Sequence, residues 1–576
     1  INVITKEASD ETVSGYSQAG VRFSTEQFDD SVDYETEHRV SGTSGNWDYV
    51  LSGSFVERGG RFDADGDRIP PNGPGGSQGG LADTAEYDIL AKTGFNFDNG
   101  DQRLELMLNE FNNTQDSDYT YGLPSGNRKT PAIPVAEAPD TAVSIIDPEQ
   151  ATTNARLSYS HQDFAGGSVN ADLYYGEMLQ AFPRYYQPGR VYDQSSIESE
   201  KLGMRTSVQT PLNVLLEGAS ITWGADYLRD ETKSHFYRSG REVEPTSPAM
   251  DQDAYAGFAQ LEVPVGDSIM LRGGLRHEEI RVDVAPLAEN GNSAVGFRGH
   301  RVEGGSLEYG ETLFNIGGVY FLNDTTEVFA SYSEGFSIAD LGRSIANGGT
   351  YRYRYDDGSV PPVETLQAES FESDAEKVDN YELGLRYSGE ALSMSVAGFY
   401  SYSNGGTTFN DNLKIEKEEE DIWGVEGTAD YEYSATTALG GTLSWAEGIK
   451  DNKEGGRERL PATRIAPLKL TSYLEHQTTA RWNNRFQLTH VGSRDQFPDG
   501  STSFGQGEVD RYTLVDYVGS IKAGAGEISV AVRNLLNKDY YPALSQGYYN
   551  FNAQRSRTSR VKGQGRTISL GYSLNW

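Results

Sequence analysis

The last stretch of the chain, "RTISLGYSLNW", leaves few folds open. Ile568, Leu570, Tyr572, Leu574 and Trp576 fall on one face of an extended segment, and Thr567, Ser569, Gly571, Ser573 and Asn575 on the other. Such strict period two makes a strand with one apolar and one polar face. The pattern recurs: Tyr381, Leu383, Leu385 and Tyr387 oppose Glu382, Gly384 and Arg386, and Leu392, Met394, Val396 and Tyr400 oppose Ser393, Ser395 and Ala397. Likewise Ile528, Val530 and Val532 oppose Ser529, Ala531 and Arg533. Each second face is small or charged, which a packed core does not tolerate. Lipid outside and water inside explain both faces at once.

Segments of this kind number 22, from near Thr12 to Trp576. Short turns are expected at 43–46, 98–101, 164–167, 264–267, 322–325, 388–391, 434–437 and 523–527. Long polar connections are expected at 59–81, 114–150, 177–196, 230–250, 284–308, 334–376, 402–419, 447–465, 491–508 and 537–563. Segregating short turns to one end and long loops to the other is the habit of bacterial outer-membrane barrels, and an even strand count puts both termini on the periplasmic side. The expected fold is therefore all-β: a 22-stranded antiparallel transmembrane barrel over residues 12–576, with short periplasmic turns and long extracellular loops, in the bacterial outer membrane. The mean hydropathy of −0.59 does not oppose this, because alternating strands leave a weak hydropathy signal.

Composition removes other classes. Cysteine is absent, so there is neither a disulfide framework nor a thiolate metal site. A net charge of −36 argues against nucleic acid as a partner. That charge fits either solvated loops on an acidic protein or acidic surface loops bridged by divalent cations to outer-membrane lipid and lipopolysaccharide.

A lumen of 22 strands is so wide that such barrels are normally plugged. The opening "INVITK" resembles the segment that closes the plug and leads into the barrel of TonB-dependent outer-membrane receptors. "SYSEGFSIADLGR" resembles that family's strand into its seventh outer loop, and "DNYELGLRY" the strand that returns from it. "VRNLLNKDYYPA", followed by a strand ending in an aromatic, resembles its last two strands. The tail "RVKGQGRTISLGYSLNW" is similar to the ferric-siderophore branch, of the aerobactin or citrate-hydroxamate type. The resemblance implies residues 1–11 as a plug-to-barrel connecting segment. It also implies a ferric siderophore as transported ligand, no resident cofactor, and energy from TonB–ExbB–ExbD through a plug that residues 1–576 do not contain.

A ferric siderophore is a compact, oxygen-ligated and often anionic complex. Holding one calls for Arg or Lys against its charge and aromatic faces against its apolar parts. Four outer stretches carry that mixture. The first supplies Phe182, Arg184, Tyr185, Tyr186 and Arg190, and the second Tyr237, Arg238 and Arg241. The third, Tyr351, Arg352, Tyr353 and Arg354, alternates strictly, so as a strand extension it would turn one residue type toward the ligand. The last holds Tyr548, Tyr549, Phe551, Arg555 and Arg557. Aromatics near strand ends also build the interfacial girdle, and loop cations also pair with acidic neighbours.

No enzyme constellation is visible: there is no HExxH, and the Gly-rich stretch at 66–80 lacks the Lys-Ser/Thr ending of a phosphate cradle. The acidic run "EKEEED" (416–421) could attract Ca²⁺, yet it lacks the glycine and spacing of a calcium loop and reads better as a solvated face. Two other functions stay open: a wide passive channel, and a TonB-dependent receptor for cobalamin or a carbohydrate.

Overall fold

A bilayer offers no partner to backbone N–H and C=O groups, so a membrane sheet must close on itself. In the computed structural model it does. The structure describes all residues except 1–4, 72–79, 98–99, 123–128, 138–145, 184–192, 215, 239–240, 244, 246, 289–296, 299–300, 339–340, 343–344, 346–350, 353–364, 372–374, 410–414, 452–455, 463, 496–507, 547, 551–555 and 559–560. Its main sheet contains 22 barrel strands and two short additions, Arg241–Val243 and Arg457–Arg459.

The strands are β1 (Ser14–Ser24), β2 (Asp33–Ser44), β3 (Trp47–Arg58), β4 (Thr84–Phe97), β5 (Gln102–Gln115), β6 (Glu149–Phe164), β7 (Gly167–Ala181) and β8 (Asp193–Pro211). Next come β9 (Ser220–Arg238), β10 (Met250–Val265), β11 (Ile269–Val284), β12 (Gly305–Asn323), β13 (Thr326–Ser337), β14 (Glu376–Ser388) and β15 (Leu392–Phe409). The last are β16 (Ile415–Ser434), β17 (Thr437–Asp451), β18 (Lys469–Thr479), β19 (Trp482–Val491), β20 (Tyr512–Ala523), β21 (Gly526–Arg533) and β22 (Thr567–Asn575). Neighbours in sequence pair antiparallel, and β1 meets β22 from Tyr16↔Asn575 to Ser24↔Thr567, closing the barrel. Trp576 extends that seam, its N–H donating to the Gly15 carbonyl at 2.9 Å.

The register sorts the side chains as the alternation requires. Ile568, Leu570 and Tyr572 stand opposite Val532, Val530 and Ile528, and Leu51, Leu104, Leu108, Leu157, Leu271 and Phe314 lie exposed on the outer wall. Large apolar side chains left exposed all round a closed sheet mark a lipid-facing surface. No helix among the described residues is long and apolar enough to cross a membrane; the crossing is made by strands.

Turns occupy one end of the barrel and the longer connections the other, here named the turn end and the loop end. Gly45 (φ 61°) and Gly266 (φ 61°) supply left-handed backbone in two turns. Three connections add to the expected set: turns at 212–219 and 480–481, and a loop-end segment at 25–32. Strands also run farther toward the loop end than the alternation indicates. β8 and β9 have 19 residues each, against the roughly 9–11 that a bilayer needs. The acidic run 416–421 thus lies inside β16 and not ahead of it. Its last two residues are buried: Glu420 accepts from Arg464, and Asp421 from Arg457 and Tyr400. Among the described residues, no group of three or more His, Asp or Glu is arranged to hold a metal ion.

Candidate functional site

The inner wall is a mosaic of opposite charges. Arg103 on β5 donates to Asp48 (2.8 Å) and Glu105 (2.8 Å). Arg156 pairs with Asp172 (2.8 Å), Lys201 with Asp230 (3.3 Å) and Arg276 with Asp226 (2.7 Å). Side chains of this length reach across neighbouring strands, so cation and acid one or two strands apart neutralise one another. A cavity of about 1220 Å³ opens along the wall between β2 and β8. Thr5, Glu7, Ala8 and Asp10 line it too, and the Thr43 hydroxyl donates to the Ser9 carbonyl at 2.8 Å. The segment before β1 therefore runs inside the lumen, not along the outer wall.

The loop end is held in two ways. Beside the closing seam the bonds are ionic. Asp63, in the 59–83 connection, accepts the N–H groups of Asp65 and Asp67 at 3.0 Å each, and its other oxygen takes Lys129 at 3.0 Å. Lys129 also binds Asp67. Lys562, from the last connection, lies between Asp539 (2.6 Å) and Asp65 (3.0 Å). Burial alone would lower the pKa of the Lys562 ammonium, but the two carboxylates outweigh it and hold it above its ordinary value. The hydrogen bond from Lys562 holds Asp65 below the usual carboxylate range. Arg61, on the same connection, is buried and donates to Asp33 at 2.8 Å.

Across the mouth the bonds are apolar. Ile280, Val282 and Val284 of β11 and Leu307 and Tyr309 of β12 point into the lumen, and Leu287, Val302, Leu341, Ile345 and Ala368 pack on them. The connections 285–304 and 338–375 are joined there by two short ladders, Arg301–Val302 with Thr365–Leu366 and Phe297–Arg298 with Tyr351–Arg352. The sequence gives no signal for this cluster, because apolar residues alternating on a strand read as lipid-facing.

The structure brings only some of the sequence-predicted ligand residues into view. Phe182 follows β7, and its carbonyl accepts the Gln194 amide at 2.9 Å; Gln194 also donates to the Ile146 carbonyl at 2.7 Å, tying two connections together. Tyr237 and Arg238 end β9, with Tyr237 opposite Glu242 and Arg238 opposite Arg241 in a short hairpin. Tyr351 and Arg352 lie on the ladder just described, and Tyr548, Tyr549 and Arg557 on a hairpin pairing Tyr548–Asn550 with Ser556–Thr558. Arg184, Tyr185, Tyr186, Arg190, Tyr353, Arg354, Phe551 and Arg555 lie outside the described residues. All four stretches belong to the loop end. Such a mouth can hold a polar complex by charge and hydrogen bonding.

The β-barrel model of the TonB dependent receptor-like proteins matches residues 91–535. The chain belongs to this family. It is thus a bacterial outer-membrane protein, of a family of receptors and transporters. Along its whole length this TonB-dependent receptor is 26% identical to the ferric aerobactin receptor of Klebsiella pneumoniae, covering 80% of it. It is 23% identical to the rhizobactin receptor of Rhizobium meliloti (strain 1021), covering 79% of it. Among solved structures, the copper transporter OprC superposes with a TM-score of 0.73 over 99% of this chain and 81% of OprC, at 15% identity. That last likeness concerns the fold alone.

Proposed function

We propose that this receptor captures a ferric siderophore at the loop end of its barrel and imports it with energy delivered by TonB. The observation that carries the reading is the full-length correspondence with two relatives named as receptors for ferric aerobactin and for rhizobactin. In this reading the loop end is extracellular and the turn end periplasmic. The four aromatic and arginine stretches supply ligand contacts, and the lumen holds a plug reached through the segment at Thr5–Glu11.

The wall chemistry supports it. A lumen lined by paired charges is wet and polar, so it suits a moving polar domain better than a fixed apolar core. No covalent step is required: the work is recognition followed by displacement. Retention of radiolabelled iron at 0 °C, by cells that have this gene as their sole siderophore receptor, tests the capture step. At least one ferric complex from a panel of hydroxamates, citrate-hydroxamates and catecholates is expected to be retained at submicromolar concentration. Retention of none, with the protein present and folded in the outer membrane, contradicts the reading.

A further inference from the structure

Along the lumen wall, cations come with their own carboxylates: Arg103 with Asp48, Arg156 with Asp172, Lys201 with Asp230, Arg276 with Asp226. The loop end of the closing seam departs from that pattern. Arg22 on β1, Arg58 on β3, Arg61 just beyond it and Arg533 at the end of β21 gather there, the last three all close enough to act electrostatically on Arg22. Two carboxylates touch this group, Asp33 and Glu86.

Both acids are already committed. Asp33 gives one oxygen to Arg61 at 2.8 Å and to the Gly59 N–H at 3.0 Å, leaving the other 3.9 Å from Arg22. Glu86 takes two bonds from Arg58, at 2.9 and 3.1 Å, and one from Asn113 at 2.9 Å. Two more carboxylates stand on this part of the wall and make no ion pair with the four arginines. Glu35 accepts from Gln18 at 3.3 Å, and Asp516 from the Asn534 N–H at 2.8 Å. Arg533 is exposed and has no hydrogen bond or ion pair among the described residues. By register it faces the same side as Arg22, the two standing opposite adjacent same-face residues of β22, Thr567 and Ser569.

We infer that Arg22 and Arg533, backed by Arg61 and Arg58, form a binding subsite for the carboxylate or hydroxamate oxygens of an anionic ferric chelate. The inference rests on the receptor reading and names the charge class of its ligand. Guanidinium groups match such oxygens in a planar fork and carry their charge at every physiological pH. Arg22 is already oriented, donating to Gln564 of the last connection, so little freedom is lost when a ligand arrives. A seam clamp alone would not need Arg533, which makes no hydrogen bond or ion pair among the described residues.

The test uses the full gene product in the outer membrane, with Arg533→Gln, Arg22→Gln and Arg533→Lys. Cell-surface retention of radiolabelled iron is measured with an anionic ferric citrate-hydroxamate chelate and a net-neutral ferric trihydroxamate as probes. Losing one charge-assisted contact is expected to weaken the anionic probe about tenfold for each Gln variant, while the neutral probe is held as before; Arg533→Lys should recover part of the loss. Wild-type affinity for the anionic probe in both Gln variants, with the barrel still heat-modifiable on gels, overturns the subsite and leaves the receptor reading standing. Wild-type protein that retains the neutral probe alone also overturns it. If the wild type retains no probe in this or the wider panel, the receptor reading itself has failed.

Discussion

The two sides of the barrel mouth are built from different physics. At the closing seam, the connections around Asp63 and Lys562 are joined by ammonium–carboxylate contacts that link residues nearly 500 positions apart in the chain. Across the mouth, the connections 285–304 and 338–375 are joined by an apolar cluster in which Ile345 is fully buried. Ion pairs near a surface contribute little each and weaken with salt and pH. Buried apolar area responds to neither, and its loss is abrupt. One side of the mouth is therefore adjustable by charge, where an anionic ligand can compete for cations; the other is joined by packing that charge does not adjust.

The largest effect should come from the apolar side. Ile345→Asp puts a carboxylate into an apolar cluster and removes the packing of a whole side chain, a loss of about 4 kcal/mol or more. The strands beneath the cluster are held by their own ladder as well, so the expected result is protease cleavage within 285–304 and 338–375 while the strands stay protected. Global loss of the barrel would mean that the cluster is part of the folding core and not a loop-end lock.

A smaller effect is expected at the seam. Lys562→Met removes the cation shared by Asp65 and Asp539 and should raise hydrogen exchange in 59–71 and 534–546, with a stability change of about 1 kcal/mol or less. The pH dependence has a definite sign. Asp65 is held below its ordinary value, so its contribution is complete above the unfolded carboxylate pKa of about 4 and fades as pH falls below it. Exchange in the wild type should rise in that acid range toward the level of Lys562→Met, whereas the apolar side should show no such step. Equal acid sensitivity on both sides would erase the contrast.

The same contrast explains what the sequence could disclose. The barrel was legible wherever apolar residues alternate against small or charged ones, as at 567–576 and 381–387, because lipid and water impose opposite demands on adjacent residues. Legibility fails above the bilayer. There both faces of a strand are polar, so the end of β9 at 230–238 and the start of β16 at 415–419 read as loop although they continue the ladder. The turn at 480–481 carries no Gly, Pro or Asn, and 212–219 is too apolar to look like a turn.

β11 shows the deepest difficulty. Leu271 and Leu275 face lipid, whereas Ile280, Val282 and Val284 face the lumen, so the apolar positions change parity within one strand. Only the packed loop above them explains the change. For the candidate site, composition located the four aromatic and arginine stretches. The seam arginines leave no mark in the sequence because Arg22, Arg58, Arg61 and Arg533 meet only when β1 closes on β22.

The most direct measurement is uptake of radiolabelled iron by cells that lack other siderophore receptors and carry the full gene, with and without working TonB. A receptor of this kind brings in one ferric complex, and only when TonB works. Iron entering at the same rate without TonB, together with unrelated small solutes, would make the barrel an open channel and contradict energised import.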